Sequence, residues 1–110
     1  MYDNWDRTLG LVMLPSDRRL KRDITLLATL ANGMKIYSFR YHWSDTVYVG
    51  LMAQDLLLNP AWRSAVVRQA NGFYAVSYGA LGLRMTTLDD WKRNGVAAVL
   101  HHKDDVRLAA

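Results

Sequence analysis

Residues that break regular structure recur along this chain at intervals too short for a long helix or strand. "ANG" stands at 31–33 and again at 70–72, joined by Gly50, Asn59-Pro60, Gly79, Gly82 and Asn94-Gly95. Each punctuates for a physical reason. Glycine reaches positive φ freely, asparagine tolerates it, and proline fixes φ and lacks a backbone donor. Between these marks the chain can therefore build only short elements, which hold only if they pack on one another.

Between these marks the segments read mainly as strands. "KIYSFRY" (35–41) is rich in aromatic and branched residues, and "TVYVGLM" (46–52) is apolar enough to be buried on both faces. "AQDLLLNP" (53–60) predicts a short helix stopped by Pro60. "SAVVRQ-ANG-FYAVSY" (64–78) reads as a hairpin, with Tyr74, Val76 and Tyr78 sharing one face of its second arm and Phe73, Ala75 and Ser77 the other. "TTLDDWKR" (86–93) begins like a helix, with Thr87 as N-cap and Asp89 and Asp90 at its positive end. Leu20, Ile24, Leu27, Ala28 and Ala31 recur at helical spacing behind Ser16 or Asp17 as N-cap, predicting a helix from about 17 to 31. Together these elements predict a single α+β domain, a small antiparallel sheet with short helices.

Composition bounds the function. In 110 residues, 51% are apolar, with four Trp and six Tyr, enough for a core and too many for a disordered chain. Cysteine is absent, so disulfides and thiolate metal sites are excluded. No stretch approaches the roughly 18 apolar residues of a membrane span. "MYDNWDRTLGLVMLP" lacks the basic start of a signal peptide, so a soluble protein is expected. The net charge of +4 comes from 14 Lys and Arg against 10 acids, all Asp. Such an excess permits weak attraction to nucleic acid without demanding it.

Most candidate chemistry has a plainer explanation. His101 and His102 are adjacent and diverge on a helix or a strand, and His42 stands alone, so no metal site is expected. The Asp pairs at 89–90 and 104–105 diverge likewise. No glycine-rich phosphate loop exists, and no cofactor is expected. Tyr37, Phe39 and Tyr41 could stack bases on a sheet, but strand spacing among apolar neighbours favours core packing.

One stretch stands apart. "LPSDRRLKRDI" (14–24) is either a capped, basic, amphipathic helix start or a serine nucleophile with a lysine base, Ser16 and Lys21. Five residues of α-helix turn through about 500°, leaving the two side chains about 140° apart. Five residues of strand put them on opposite faces. Regular structure therefore cannot join them, and a dyad needs a bend or a second subunit. The lysine pKa must also fall from about 10.4 to near 7, a shift worth about 4–5 kcal/mol. Arg18, Arg19 and Arg22 push in that direction, Asp17 and Asp23 push back, and burial would add to the fall.

Taken in order, "SDRRLKRDI", "NGMKIYSFRY", "VYVGLMAQDLLLNP" and "AVVRQANGFYAVSYGAL" resemble the endosialidase-type intramolecular chaperone family. These are auto-processing C-terminal domains of phage tail spikes and fibres, also found in some eukaryotic membrane-bound transcription factors. The likeness runs from Ser16 to about residue 81. It implies a domain that helps a homotrimeric fibre fold and then cuts itself off before the motif serine. Ser16 would be the nucleophile, Lys21 its base, and Pro15–Ser16 the bond cut. Asp17, Arg19, Leu20, Gly50, Ala53, Gln54 and Asp55 match the two supporting motifs, and are expected to be structural.

The resemblance also implies a layout: residues 1–15 before the cut, 16–83 as the auto-processing core, and 84–110 as a short C-terminal helix and tail. Only fifteen residues precede Ser16, and the apolar spacing of a long C-terminal helix fades beyond Trp91. Those departures favour an alternative, a non-cleaving module that trimerises a separately encoded fibre or spike. A third reading, nucleic-acid binding by Arg18, Arg19, Lys21 and Arg22, ranks last. For the leading reading the setting is the bacterial cytoplasm during phage or prophage assembly, with no membrane partner.

Overall fold

A computed structural model describes residues 13–100. Two antiparallel sheets make up the frame. The smaller has strand order β1 (Met13–Pro15), β6 (Tyr74–Ser77), β5 (Val66–Arg68). The larger runs β2 (Lys21–Thr29), β3 (Lys35–Tyr41), β4 (Tyr48–Gly50), β7 (Thr86–Thr87). Helices α1 (Ala53–Leu57) and α2 (Leu88–Asn94) follow β4 and β7, and short 3-10 turns fill several connections. The α+β class is as the sequence predicts, with two small sheets in place of one.

The alternation of β3 divides the interior in two. Ile36 faces a main core with Met34, Val49, Leu51, Leu56, Val76, Tyr78 and Val99. Tyr37, Phe39 and Tyr41 face the other way, into a second cluster with Met52, against which Leu20 and Ile24 pack. Period-two geometry puts alternate residues on opposite faces, so a strand buried on both sides needs apolar residues at nearly every position. "KIYSFRY" meets that demand in part, with Lys35 exposed, Ser38 buried and Arg40 half-buried among its apolar residues, and its three aromatics are core residues. The hairpin is present as β5 and β6, although β6 is buried on both faces at Ala75, Val76 and Ser77. Thr87 caps α2, its hydroxyl accepting from the Asp90 amide at 3.2 Å.

The helix expected over 17–31 does not form. Asp17 does act as a cap, but of a 3-10 turn over Arg18–Leu20, and residues 21–29 continue as β2. The apolar spacing misleads because β2 carries two bulges against β3. Arg22 pairs with Arg40 but Thr25 with Ser38, and Leu26 pairs with Tyr37 but Ala28 with Ile36. Each step inserts one extra residue on β2, shifting the inward face by one. Two such shifts turn a period of two into the mixed spacing of Leu20, Ile24, Leu27 and Ala28, which a helix also produces. Asp23, at φ 55°, occupies the first bulge in the left-handed region that aspartate tolerates better than most residues.

His101, His102, Asp104 and Asp105 lie outside the described residues, as do 1–12 of the segment before the proposed cut. No helix among the described residues is long and apolar enough to cross a membrane.

Candidate functional site

The junction between the two sheets is built by "PSDRRLK". Ser16 follows directly on β1, and its amide donates to the Tyr74 carbonyl at 3.2 Å, extending the β1–β6 ladder by one residue. Its carbonyl accepts from the Ala53 amide at 2.9 Å, at the start of α1. The 3-10 turn at 18–20 then reverses the chain. Lys21 opens β2 and comes back over Ser16, with Nζ 3.1 Å from Oγ. The bend that spacing demanded is thus supplied within one chain.

Both groups are buried, Ser16 at 0% exposure and Lys21 at 4%. Lys21 Nζ donates to the Leu51 carbonyl at 2.6 Å and to the Ser16 carbonyl at 3.3 Å. Ser16 Oγ reaches the Leu51 carbonyl at 3.0 Å and the Tyr78 hydroxyl at 3.3 Å. As an ammonium, Lys21 has three protons for three oxygens. As a neutral amine it keeps two donors for the carbonyls and presents its lone pair to the serine hydroxyl. Both protonation states can be satisfied without moving a heavy atom.

The Lys21 pKa is lowered to about 7, chiefly because burial disfavours the charged form. Asp17 opposes the fall, Arg18 adds a little to it, and Asp55 opposes it again. The sequence offered burial and three arginines as lowering influences; burial dominates, and of the arginines Arg18 contributes. The phenyl ring of Phe39, its centroid 4.1 Å from Nζ, faces the amine in a cation–π contact that by itself favours the ammonium and is outweighed by burial. Among the described residues, Lys21 makes no ion pair with a carboxylate.

The supporting motif residues form a clamp beside this pair. Asp17, fully buried, accepts from the Arg19 amide at 2.9 Å and from Arg19 Nη2 at 2.7 Å. It also accepts from Gln54 Nε2 at 2.9 Å and the Tyr74 amide at 3.0 Å. The Arg19 guanidinium, followed by these other donors, holds the Asp17 carboxyl well below the usual carboxylate range. Gln54 completes the tie by accepting from the Arg18 amide at 2.8 Å. Asp55 accepts from the Tyr37 hydroxyl, whose pKa burial and then Asp55 itself push up to about 12. Leu20 packs against the second cluster.

Gly50 has a steric role. A Cβ at this position would collide with the Tyr78 hydroxyl, which accepts from the Leu51 amide at 2.8 Å and touches Ser16 Oγ. Only glycine lets that phenol approach. Tyr78 itself lay outside the site read from the sequence, because an aromatic in a buried strand arm looks like core.

Pro15 ends the edge strand β1. The Ser16 amide points to β6, so by antiparallel alternation the Pro15 nitrogen and carbonyl point away from it. Proline, with no N–H, suits that position. Its carbonyl accepts from the hydroxyl of Tyr41, another residue the sequence gave no reason to place here.

The basic run is not a free cationic patch. Arg19 is bound to Asp17, Arg22 to Asp23 and Asp45, and Lys21 is buried; Arg18 is exposed. Among the described residues no group of three His, Asp or Glu side chains converges to hold a metal. His42 is exposed, with Nε2 3.0 Å from the Arg19 carbonyl.

Comparison with curated proteins and with solved structures gave no match. Comparison with protein families matched residues 16–57 to the family described as chaperone of endosialidase. That span takes in Ser16, Asp17, Arg19, Lys21, Gly50, Ala53, Gln54 and Asp55. Residues 16–57 of this chain are thus similar to the chaperone of endosialidase family.

Proposed function

We propose that this chain is a self-cleaving intramolecular chaperone domain that assists a homotrimeric phage or prophage tail fibre or spike and cuts itself between Pro15 and Ser16. The observation that carries the reading is a buried Ser16 Oγ 3.1 Å from a buried Lys21 Nζ whose pKa is lowered to about 7. A serine hydroxyl needs an adjacent base, and a desolvated lysine is one.

Neutral Lys21 takes the proton from Ser16 Oγ as Oγ bonds to the Pro15 carbonyl carbon, giving a cyclic tetrahedral adduct. The carbon–nitrogen bond of Pro15–Ser16 then breaks, and the ammonium of Lys21 returns the proton to the departing Ser16 nitrogen. An ester now joins the Pro15 acyl group to Ser16 Oγ. Water adds to that ester, Oγ leaves with a proton, and the products are a Pro15 carboxylate and a chain beginning at Ser16. The Ala53 amide and Lys21 Nζ, both on the Ser16 carbonyl, hold the residue in place through these steps.

Intact mass after incubation tests this. Loss of residues 1–15, abolished by Ser16→Ala and by Lys21→Ala, is expected. The rate should rise with pH through about 7, as Lys21 loses its proton. A wild-type chain that stays whole yet trimerises by light scattering would replace this reading with that of a non-cleaving assembly module for a fibre or spike. No change in nucleic-acid affinity on replacing Arg18, Arg19, Lys21 and Arg22 would remove the nucleic-acid reading.

A further inference from the structure

We propose that Tyr41 is a third catalytic residue of this site, its hydroxyl serving as the hydrogen-bond donor that stabilises negative charge on the Pro15 carbonyl oxygen. The inference rests on the Ser16–Lys21 cleavage reading and adds the group that reading lacks. Attack on a carbonyl puts charge on its oxygen, and a donor already aimed there needs no reorganisation as the charge develops.

Three observations converge on this role. The Tyr41 hydroxyl donates to the Pro15 carbonyl oxygen, the oxygen of the bond to be cut. That oxygen points away from the β1–β6 ladder, so no backbone amide of β6 competes for it. Tyr41 also pairs directly with Lys21 across β2 and β3, so donor and base rise from one face of one strand pair. The phenol is well fixed: Tyr41 is 5% exposed, meets Phe39 edge-on with ring centroids 5.4 Å apart, and stacks on Trp43 at 4.7 Å. Burial raises its pKa, so the proton stays on the oxygen at neutral pH.

In the reaction Tyr41 shares its proton with the oxyanion of the tetrahedral adduct and keeps it when the carbon–nitrogen bond breaks. No bond to Tyr41 forms or is lost. The same donor faces the carbonyl of the ester in the second half-reaction.

Single-turnover cleavage, read by intact mass from pH 5.5 to 9, decides the matter. Tyr41→Phe keeps the ring and its stacking, and should slow cleavage by about 10²- to 10³-fold. The pH midpoint set by Lys21 should not move. A fluorinated tyrosine at position 41, a stronger donor of nearly the same shape, should cleave faster than wild type. Cleavage by Tyr41→Phe within about threefold of wild type would overturn the proposal. So would a slower rate accompanied by a shifted midpoint, which would show Tyr41 acting through Lys21. An unchanged rate with the fluorinated residue would overturn it too, and that measurement does not depend on the Phe variant folding. A wild-type chain that never cleaves sinks the dyad reading first, and this one with it, which distinguishes the two failures.

Discussion

Asp17 and Lys21 stand four residues apart, both buried, and the fold treats them in opposite ways. Asp17 is ringed by donors from Arg19, Gln54 and Tyr74, so its charged form is favoured. Lys21 is taken out of water with no carboxylate paired to it, and that burial outweighs the two carbonyls, the hydroxyl and the aromatic face it meets, so its charged form is disfavoured. A buried charge with a full set of partners holds a structure together. A buried amine denied a counter-ion is held ready to give up its proton, at a cost to folding. One hexapeptide therefore carries both a clamp and a reactive group. The clamp, by tying the turn at 18–20 to α1 and β6, offsets part of that cost.

The contrast is broken most sharply at Lys21. With a folded pKa of about 7 against an unfolded value of about 10.4, the unfolded chain binds more protons between those limits. Stability should therefore rise with pH across that window, by up to about 4 kcal/mol. Urea unfolding of the Ser16→Ala protein at pH 7 and pH 10 should show the rise, and adding Lys21→Met should flatten it. A rise that survives Lys21→Met would assign it to another group.

Asp17 should behave the other way round. Asp17→Ala strands the Tyr74 amide, the Gln54 amide and the Arg19 guanidinium, and should cost about 2–4 kcal/mol at pH 7. Because its folded pKa is depressed, the wild-type advantage is present above the unfolded value of about 3.9 and fades as the pH falls below it. Thermal melts of both proteins should draw closer between pH 7 and 3 without meeting, since the folded carboxyl is still charged at pH 3. A gap independent of pH would show that Asp17 acts by packing alone.

The smallest expected effect is at Gly50. Gly50→Ala drives a methyl group into the Tyr78 hydroxyl, and should cost about 1–3 kcal/mol as the ring withdraws. Cleavage should slow more than that loss of stability explains, since Ser16 Oγ loses a hydrogen-bond partner. Equal cleavage rates in the two folded proteins would confine Tyr78 to a packing role.

Legibility in the sequence followed the same physics. β3 was readable residue for residue because a strand buried on both faces leaves few alternatives. Thr87 and its two aspartates announced α2 because a cap is local chemistry. β2 was misread because its bulges are fixed by pairing with β3, and nothing in residues 21–29 alone signals an inserted residue. Spacing showed that Ser16 and Lys21 needed a bend or a second subunit, and the turn at 18–20 is such a bend. The hydroxyls of Tyr41 and Tyr78 were not readable, since a phenol among core aromatics shows its ring to the sequence and its oxygen only to the fold.

The edge position of β1 bears on what a cut would achieve. β1 pairs with β6 over three residues and leans Leu14 on the main core. While the chain is whole, the tether keeps this strand at a high local concentration, and a weak pairing suffices. A break at Pro15–Ser16 would turn that contact into an encounter between two molecules. Backbone hydrogen bonds at about 0.5–1.5 kcal/mol each, over so short a strand, would not hold it at micromolar concentration. Dilution, rather than any further chemistry, would then make the separation one-way and leave the edge of β6 bare.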